Sequence, residues 1–503
     1  MRTKKALINS IVNISSYLII IIPNMIMRKV FLQTLGGEML GLNSLYSNII
    51  GWLSIFELGI GSAIVYSLYE PYAENNKSKI RAYIQFYGKI YRIMGIIILI
   101  LGLCISPFLS IFIENDINMK ITTWGFILFL LNSFISYLFS HKLCILNVAQ
   151  EEYKITLSTT LSKLIIVFIQ IIFLNKNPNF ILFTFIQLII NFIYFIAINI
   201  YINKKYKWLN YKKEKLELQV KKDLFINIKA LFMHKIGSLV VMSTDNLIIS
   251  KFVGLLELSN YTNYNTIIAA LQNIVGKGLG GITASIGSML TQKDNDKAYD
   301  IHKKVFFLNF WIVSFIVISL YNTLNQFISL WVGERYLLDY MTFVVVLINT
   351  YFGSMRGSVE EFKNGSGNFY QDRYAPIFES IINFVISIIL VKRIGLAGVF
   401  IGTLVSNFTV LFWTKPYVVY KYVFNKPLID YFIMYFKYMI IGIIVLILTN
   451  YISNPFKYNI SFISFIINVF INIVVINLMY LIIFYKTDEF KYYLSMLKKI
   501  KNR

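Results

Sequence analysis

Apolar residues run through this chain in long stretches, each about long enough to cross a bilayer and separated from the next by a short polar loop. A transmembrane helix needs about 20 predominantly apolar residues. A count of twelve or thirteen helices stays open, because the fifth and eleventh stretches are close to that minimum. We predict about fourteen helices, at residues 6–28, 39–69, 84–113, 119–148, 155–175, 180–203, 224–251, 258–290, 304–333, 337–362, 374–392, 396–420, 429–451 and 458–485.

The composition agrees with a membrane protein, since 57% of the 503 residues are hydrophobic. No polar segment is longer than about twenty residues, which leaves no room for a separate catalytic domain. The two cysteines, Cys104 and Cys144, lie inside apolar stretches and predict neither a disulfide framework nor a metal site. We therefore expect the function to lie between the helices.

The net charge of +23 is distributed unevenly between the predicted loops. Lys and Arg concentrate in alternate loops, above all in the linker at 204–222 and in the tail from Lys486 to Arg503. Cytoplasmic loops carry such an excess, so both termini are predicted to be cytoplasmic. The charge follows helix ends and forms no duplex-sized face, so nucleic acid is not an expected partner. The basic tail is instead expected to lie on anionic membrane lipid.

The sequence repeats itself weakly at an offset of 218 residues. Gly36 falls on Gly254, Tyr46 falls on Tyr264, and the polar loop from Glu74 falls on the polar loop from Gln292. Chance similarity between apolar segments is the alternative explanation. Two copies with six helices each would have the same topology and would be related by an axis along the membrane normal.

This repeat predicts an all-α polytopic membrane protein with two parallel six-helix bundles, a central cavity between them and two C-terminal helices. The predicted parts are an N-terminal six-helix bundle at 1–203, a cytoplasmic basic linker at 204–223, a second six-helix bundle at 224–424, and two further helices with a basic tail at 425–503.

Three segments resemble one known family. They are the run Arg28–Ile64 with its FELGIG stretch, the run Ser243–Tyr264, and NGSGNF at Asn364–Phe369 followed by Gly395–Asn407. In this order they are similar to the polysaccharide flippases, Wzx-like proteins of the multidrug/oligosaccharidyl-lipid/polysaccharide exporter superfamily. The resemblance runs from about residue 5 to 425.

The resemblance implies a flippase of the bacterial inner membrane. It would move a polyprenyl-pyrophosphate-linked oligosaccharide, such as an O-antigen or capsule repeat unit of lipopolysaccharide or polysaccharide biosynthesis, from the cytoplasmic leaflet to the outer leaflet. It also implies alternating access, H+ or Na+ as the coupling ion, no other cofactor, and polysaccharide polymerases and glycosyltransferases as partners. Such a substrate needs a polar, cationic cavity because its pyrophosphate is anionic.

Several basic residues lie deep in predicted spans, where each costs about 2.5–3.5 kcal/mol unless it meets water, a partner or an anion. We predict that five basic residues bind the pyrophosphate. They are Lys277, Lys163, Lys235 and Arg356, together with Arg28 at the end of the first predicted span. Three of them have a plainer explanation. Arg28 can anchor the outer interface, Lys163 can reach the inner interface, and Arg356 can pair with an acid one turn later.

Acidic residues in the spans are candidates for ion coupling. Asp245, Glu57 and Glu360 lie inside predicted helices, and His234 shares a helical face with Asp245. Asp245 can equally pair with Lys235 or with a lysine on another helix. Glu361 and Glu379 are weaker candidates.

Four alternatives stay open. A peptidoglycan-precursor flippase and a drug or cation antiporter belong to the same superfamily, although deep basic charge suits an anion better than a cation. A polytopic glycosyltransferase or polysaccharide polymerase needs an outer active site, usually on a substantial loop, and the predicted outer loops are short. A purely structural membrane protein would have no use for buried basic residues. We therefore expect a transporter and no enzyme.

Overall fold

All regular elements of the computed structural model are helical across its described residues, which are 2–57, 60–113, 117–210, 214–217, 221, 244–280, 282–290, 294–368, 370–457 and 459–501. The chain divides into two compact units, Met1–Ser259 and Asn260–Arg503. Within the described part of the chain, ten helices are long and apolar enough to cross a membrane. The predicted all-α polytopic fold is therefore confirmed.

The first unit begins with α1 and reaches into α10. Its helices are α1 (Arg2–Thr34), α2 (Gly37–Leu53), α3 (Ile60–Ala73), α4 (Lys77–Ile105), α5 (Met119–Phe139), α6 (Cys144–Val148), α7 (Glu152–Lys176), α8 (Phe180–Lys205) and α9, of which residues 244–252 are described.

The second unit holds the remaining helices. These are α10 (Leu255–Gly280, shared with the first unit at its start), α11 (Thr283–Leu290), α12 (Asn295–Trp331), α13 (Tyr340–Met355), α14 (Gly357–Ser366), α15 (Ala375–Ile394), α16 (Leu396–Ser406), α17 (Phe412–Val419), α18 (Leu428–Lys457), α19 (Phe462–Phe484) and α20 (Asp488–Lys501).

Three predicted spans are each divided between two helices. The span at 39–69 divides between α2 and α3, the span at 258–290 divides between α10 and α11, and the span at 337–362 divides between α13 and α14. Most of the span at 224–251 lies outside the described residues. The count of fourteen therefore stays a prediction. The breaks fall where polar or glycine residues interrupt the apolar pattern.

The helix ends follow local sequence signals. Asn76, Asn179, Asp294, Asp339 and Ser461 each accept a hydrogen bond from a backbone amide of the first turn that follows. Such caps satisfy amides that lack an intrahelical partner. They explain why five helices begin at these positions.

Residues 396–424 form one continuous helix with two wide turns. The π-helical turns at Asn407–Leu411 and Tyr420–Phe424 flank α17, which contains Pro416. Proline has no amide hydrogen and its ring crowds the carbonyl four residues earlier. The π-helical turns accommodate the hydrogen bond that is missing at Pro416 and change the direction of the neighbouring side chains.

The two sequence copies show the same local structure at their matched positions. Gly36 and Gly254 both have positive φ, 85° and 114°, and each lies immediately before a helix. Tyr46 and Tyr264 are both fully buried. The Tyr46 hydroxyl donates to the Thr122 carbonyl at 2.6 Å, and the Tyr264 hydroxyl accepts from the Leu338 amide at 3.3 Å. Each tyrosine thus meets the start of its copy's fourth span, which supports the repeat.

The compact units do not follow the predicted boundaries. The described part of α9 packs with the first unit, where Asn246 donates to Asn48 at 3.1 Å. Gly41 lies so close to the backbone of Leu255 that a methyl group would clash with it. Contacts of this kind place residues 244–259 with the first unit, although the repeat groups them with the second copy. The bundle boundaries at 203 and 224 stay predictions.

A chain of buried amides fastens α18 and α19 to α12. Asn322 donates to Asn472 at 2.9 Å, and Asn468 donates to the side chain of Gln326 at 3.2 Å. Gln326 then donates to the carbonyl of Phe456 at 3.0 Å. Inside a bilayer no water is available to bond these amides. Their hydrogen bonds within the protein therefore hold α18 and α19 against α12.

A second anchor joins the start of α7 to the end of α8. The Glu151 carboxylate accepts from Lys154 at 2.9 Å and also from Lys205. Burial opposes ionisation of this carboxyl, but the hydrogen bonds from Lys205 and Lys154 outweigh it and lower the pKa of Glu151 to about 2. At neutral pH, the ionised carboxylate of Glu151 therefore holds the start of α7 against the end of α8.

We expect Asn472→Leu to destabilise the protein by about 1–2 kcal/mol, because it removes the acceptor of the Asn322 amide and the donor to the Asn468 Oδ1 atom. Unfolding in detergent with increasing sodium dodecyl sulfate would measure the change. Leu478→Ala is the control, since that side chain is 53% exposed on the same helix. An unchanged unfolding midpoint for Asn472→Leu would show that the amide chain does not hold α19.

We expect Glu151→Gln to lower the thermal stability at neutral pH. A carboxyl whose pKa falls from 4.5 to about 2 on folding stabilises the fold above pH 4.5 and loses that contribution as the pH falls toward 2. The difference in melting temperature between the wild type and the variant should therefore be constant above about pH 5 and shrink below it. A difference that grows on acidification would contradict this assignment.

Candidate functional site

The predicted basic residues are distributed over both units. Arg28 lies half-buried in α1, and Lys163 is exposed on α7 in the first unit. In the second unit, Lys277 is exposed in the last turn of α10, and Arg356 is half-buried between α13 and α14. Lys235 lies outside the described residues. Their binding of a common ligand stays a prediction.

The glycines beside Lys277 have a different role from close helix packing. An added methyl group at Gly276, Gly278 or Gly280 would meet no atom within 4 Å. The helix instead ends at Gly280, and α11 begins at Thr283. The glycine run therefore lies at the end of α10 and makes no close contact with another helix at these three positions.

The predicted acids fall into three settings. Asp245 is half-buried at the start of the described part of α9, and Glu57 ends a short 3₁₀ turn after α2. Glu360 lies in the first turn of α14. His234 lies outside the described residues, so its relation to Asp245 stays a prediction.

Glu57 forms the centre of a carboxylate–phenol cluster in the first unit. The hydroxyl of Tyr91 on α4 donates to its Oε1 atom, and the hydroxyl of Tyr137 on α5 donates to its Oε2 atom at 2.6 Å. Tyr87 stacks edge-on against Tyr91, with 4.2 Å between ring centroids. The break after α2 turns the carboxylate toward these helices, so one acid joins three elements of the bundle.

Two glycines make room for this cluster. A methyl group on Gly61 would lie 3.0 Å from the Tyr87 hydroxyl, and one on Gly95 would lie 2.9 Å from the Tyr137 Cβ. Both positions therefore need a residue without a side chain for the tyrosines to approach Glu57.

The second unit contains an ion cluster of different composition. The Arg356 Nε atom donates to the Oε1 atom of Glu360 at 2.8 Å, and Lys415 on α17 donates to the same oxygen. A second nitrogen of Arg356 donates to the side chain of Asn407 at 3.0 Å, in the first π-helical turn. Two cations thus share one carboxylate oxygen. Arg356 and Glu360 are the predicted site residues that the structure brings into direct contact.

The break between α13 and α14 places Arg356 in this cluster. The buried side chain of Asn309 on α12 donates to the carbonyls of Ser354 and Met355, at 3.2 and 3.0 Å. These bonds satisfy carbonyls that lie at the end of α13. The helix can then turn at Arg356 without leaving them unpaired.

The two phenols that bind Glu57 have counterparts in the second copy that lie beside the ion cluster and not within it. At the offset of 218, Tyr91 corresponds to Asn309 and Tyr137 corresponds to Met355. The same crossing of third and fourth spans therefore holds two phenols in the first copy and an amide with two backbone carbonyls in the second. The copies share a fold and differ in the polar chemistry they enclose.

Sequence reasoning missed Tyr91, Tyr137, Asn407 and Lys415. The first two are 34 and 80 residues from Glu57, so no local spacing connects them. Lys415 is 55 residues from Glu360 and lies within the continuous helix at 396–424. Its place before Pro416 inside an apolar stretch was the available signal. Among the described residues, no group of three or more His, Cys, Asp or Glu could hold a metal ion.

The same fold occurs in solved transporter structures. The lipid II flippase MurJ, in an inward closed conformation, matches with a TM-score of 0.71 at 14% identity over 95% of this chain and 99% of its own. An inward-facing multidrug resistance MATE family transporter of the MOP superfamily gives 0.59 at 15% identity over 79% and 94%. The MATE transporter VcmN of Vibrio cholerae gives 0.54 at 13% identity over 85% and 99%.

No protein-family model matches the sequence, and no curated protein matches it. At these identities the structural matches show the fold alone. The chain is a multi-span membrane protein with the polytopic fold of MurJ and of the MATE transporters.

We expect a double-mutant cycle between Tyr91→Phe and Glu57→Leu to give a coupling energy of about 1 kcal/mol or more, because both changes remove the same hydrogen bond. The measurement is unfolding in detergent of the wild type, both single variants and the double variant. Tyr66→Phe is the control for loss of a hydroxyl, since that side chain is 74% exposed. Additive effects at Tyr91 and Glu57 would show that the bond contributes nothing.

Proposed function

We propose that this protein is a flippase that moves a polyprenyl-pyrophosphate-linked oligosaccharide across the bacterial inner membrane, from the cytoplasmic to the outer leaflet. The observation that carries the proposal is the match to a lipid II flippase over nearly the whole of both chains. The MATE matches leave more of this chain uncovered. The resemblance of three sequence segments to polysaccharide flippases points to a glycan-carrying lipid.

The charges in the spans fit this substrate. Arg28, Lys163, Lys277 and Arg356 lie on helices within predicted spans, where an anion lowers the cost of placing a cation in the membrane. We propose that they bind the pyrophosphate, together with Lys235. The polyprenyl tail can remain in lipid, while the sugar chain needs a polar route.

Transport would proceed by alternating access. The substrate and a coupling ion must bind the two conformations unequally, since equal binding would shift no equilibrium. We propose H+ or Na+ as the ion, with Glu57 and Asp245 as the principal acids and His234 as an additional group. Glu57 supports this role because its carboxylate links the break after α2 to α4 and α5. Glu360 is held by two cations, so its geometry fits an internal counter-ion better than a proton carrier.

The second candidate is a drug or cation antiporter, favoured by the MATE matches. A lipid II flippase is a further candidate, favoured by the match to MurJ. A glycosyltransferase or polymerase is disfavoured because the fold is one found in transporters. Polysaccharide polymerases and glycosyltransferases are proposed partners, and both termini are proposed to be cytoplasmic.

We expect the purified protein in liposomes to flip a fluorescent polyprenyl-pyrophosphate oligosaccharide, and we expect Arg28→Ala and Lys277→Ala to lower the rate by at least about tenfold, as loss of a charge-assisted contact predicts. Protection of the sugar from an external lectin measures the rate. Lys176→Ala, at the exposed end of α7, is the matched control.

Two results would contradict the proposal in different ways. Absence of flipping with several glycans, together with gradient-driven efflux of organic cations, would assign the protein to the antiporter alternative. Normal flipping by both variants would keep the transporter class and remove Arg28 and Lys277 from the binding site.

A further inference from the structure

The ion cluster of the second unit has an unusual arrangement of donors and acceptors. Arg356 and Lys415 both donate to one oxygen of Glu360, and Arg356 also donates to the neutral amide of Asn407. Two full positive charges therefore converge on a single carboxylate oxygen. The guanidinium can donate five hydrogen bonds and the ammonium three, so this oxygen uses a small part of the donor capacity.

A phosphate group would satisfy the same donors better than the carboxylate does. It offers several separate oxygens and a larger negative charge, and the planar guanidinium matches two of those oxygens at once. Lys415 can then bind a third oxygen as a point charge. The cluster thus has the donors of a phosphate site and is occupied by a carboxylate of its own chain.

The cluster can be reached from outside the helix packing. The side chains of Arg356, Glu360 and Lys415 keep 17%, 33% and 19% of their surface exposed. Of the three side chains, that of Glu360 is the most exposed. Rotation of this side chain toward its exposed side would separate the carboxylate from the cations.

We propose that Arg356 and Lys415 form a binding site for a phosphate or pyrophosphate group, and that Glu360 is a built-in competitor that occupies the site when no ligand is bound. This inference rests on the proposed function and adds Lys415 and Glu360 to the pyrophosphate site. Asn407 is a positioning residue, because it fixes the guanidinium from the π-helical turn.

Displacement of Glu360 would also change how the helices are held. Glu360 belongs to α14 and Lys415 to α17, so their bond joins the fourth span of this copy to the sixth. A ligand that takes both cations releases α14 from that bond and leaves Arg356 and Lys415 together on the ligand. A ligand bound to both cations displaces the Oε1 atom of Glu360. Ligand binding therefore excludes the contact between α14 and α17 that this atom makes with Lys415.

A further acid near the cluster, and a second carboxylate that is shared by two cations on α12, both matter for the test of this proposal. Glu379 on α15 interacts electrostatically with both cations. Two acidic and two basic side chains therefore lie near one another, so an excess of positive charge alone would not attract a ligand. On α12, Asp300 bonds Lys304 at 2.6 Å and lies 3.6 Å from Lys303, and its side chain is 52% exposed. Asp300 is thus also shared by two cations, but through two oxygens and at an exposed position.

The test is calorimetric titration of the full-length protein in detergent with inorganic pyrophosphate at fixed ionic strength, repeated with inorganic phosphate and with a short-chain prenyl pyrophosphate. We expect Glu360→Gln to tighten pyrophosphate binding by about tenfold, and Arg356→Ala and Lys415→Ala to weaken it by about tenfold or more. Asp300→Asn removes a carboxylate shared by two lysines elsewhere and should leave the affinity unchanged. If Glu360→Gln does not fold, Glu360→Asp should tighten binding by a smaller factor.

Unchanged or weaker binding by Glu360→Gln overturns the inference, and so does equal tightening by Asp300→Asn, which would show a general charge effect. Preference for the prenyl pyrophosphate identifies a lipid headgroup as the ligand, whereas equal binding identifies a free phosphate site. If the Glu360 response is present and no lipid-linked oligosaccharide is flipped, the proposed function fails alone. If flipping occurs without that response, only the inference fails.

Discussion

Water is absent from the hydrocarbon core of a bilayer, so each polar group inside a span must find its partner within the protein. This constraint explains the contacts that organise both units. Glu57 joins α4 and α5 to the break after α2, and Asn309 covers the carbonyls at the end of α13. The amides of Asn468 and Asn472 attach α19 to α12. Apolar side chains fill the spaces, but lipid tails are equally apolar, so the polar pairs decide which helices meet.

The two sequence copies illustrate how one fold carries two kinds of chemistry. Both keep the glycine with positive φ before the second span and the buried tyrosine that meets the fourth span. Where the third and fourth spans cross, the first copy encloses a carboxylate between phenols and the second copy bonds an amide to backbone carbonyls. The second arrangement lets a helix break beside an arginine. A charged cluster could therefore form in one copy and not in the other at this crossing.

Under the proposed function, the two units carry different parts of the transport cycle. The carboxylate cluster of the first unit offers an acid whose partners lie on separate helices, as an ion-coupling group requires. The cluster around Arg356 and Lys415 offers donors suited to a phosphate and a carboxylate already in its place. A flippase for a lipid-linked pyrophosphate needs both, because substrate and ion must favour different conformations for net transport.

The sequence by itself determined the membrane environment, the all-helical class, most helix positions and the repeat, because length, hydropathy and loop charge act locally along the chain. It also placed Arg356 one turn before Glu360, and the helical geometry brings these two side chains into contact. Only the tertiary structure decided that Tyr91 and Tyr137 meet Glu57 and that Lys415 meets Glu360, since these partners come from helices far apart in sequence. It also divided three predicted spans at positions where a neighbouring helix or a turn satisfies the freed backbone. Hydropathy averages over a span, whereas a site depends on which single side chains face each other across helices.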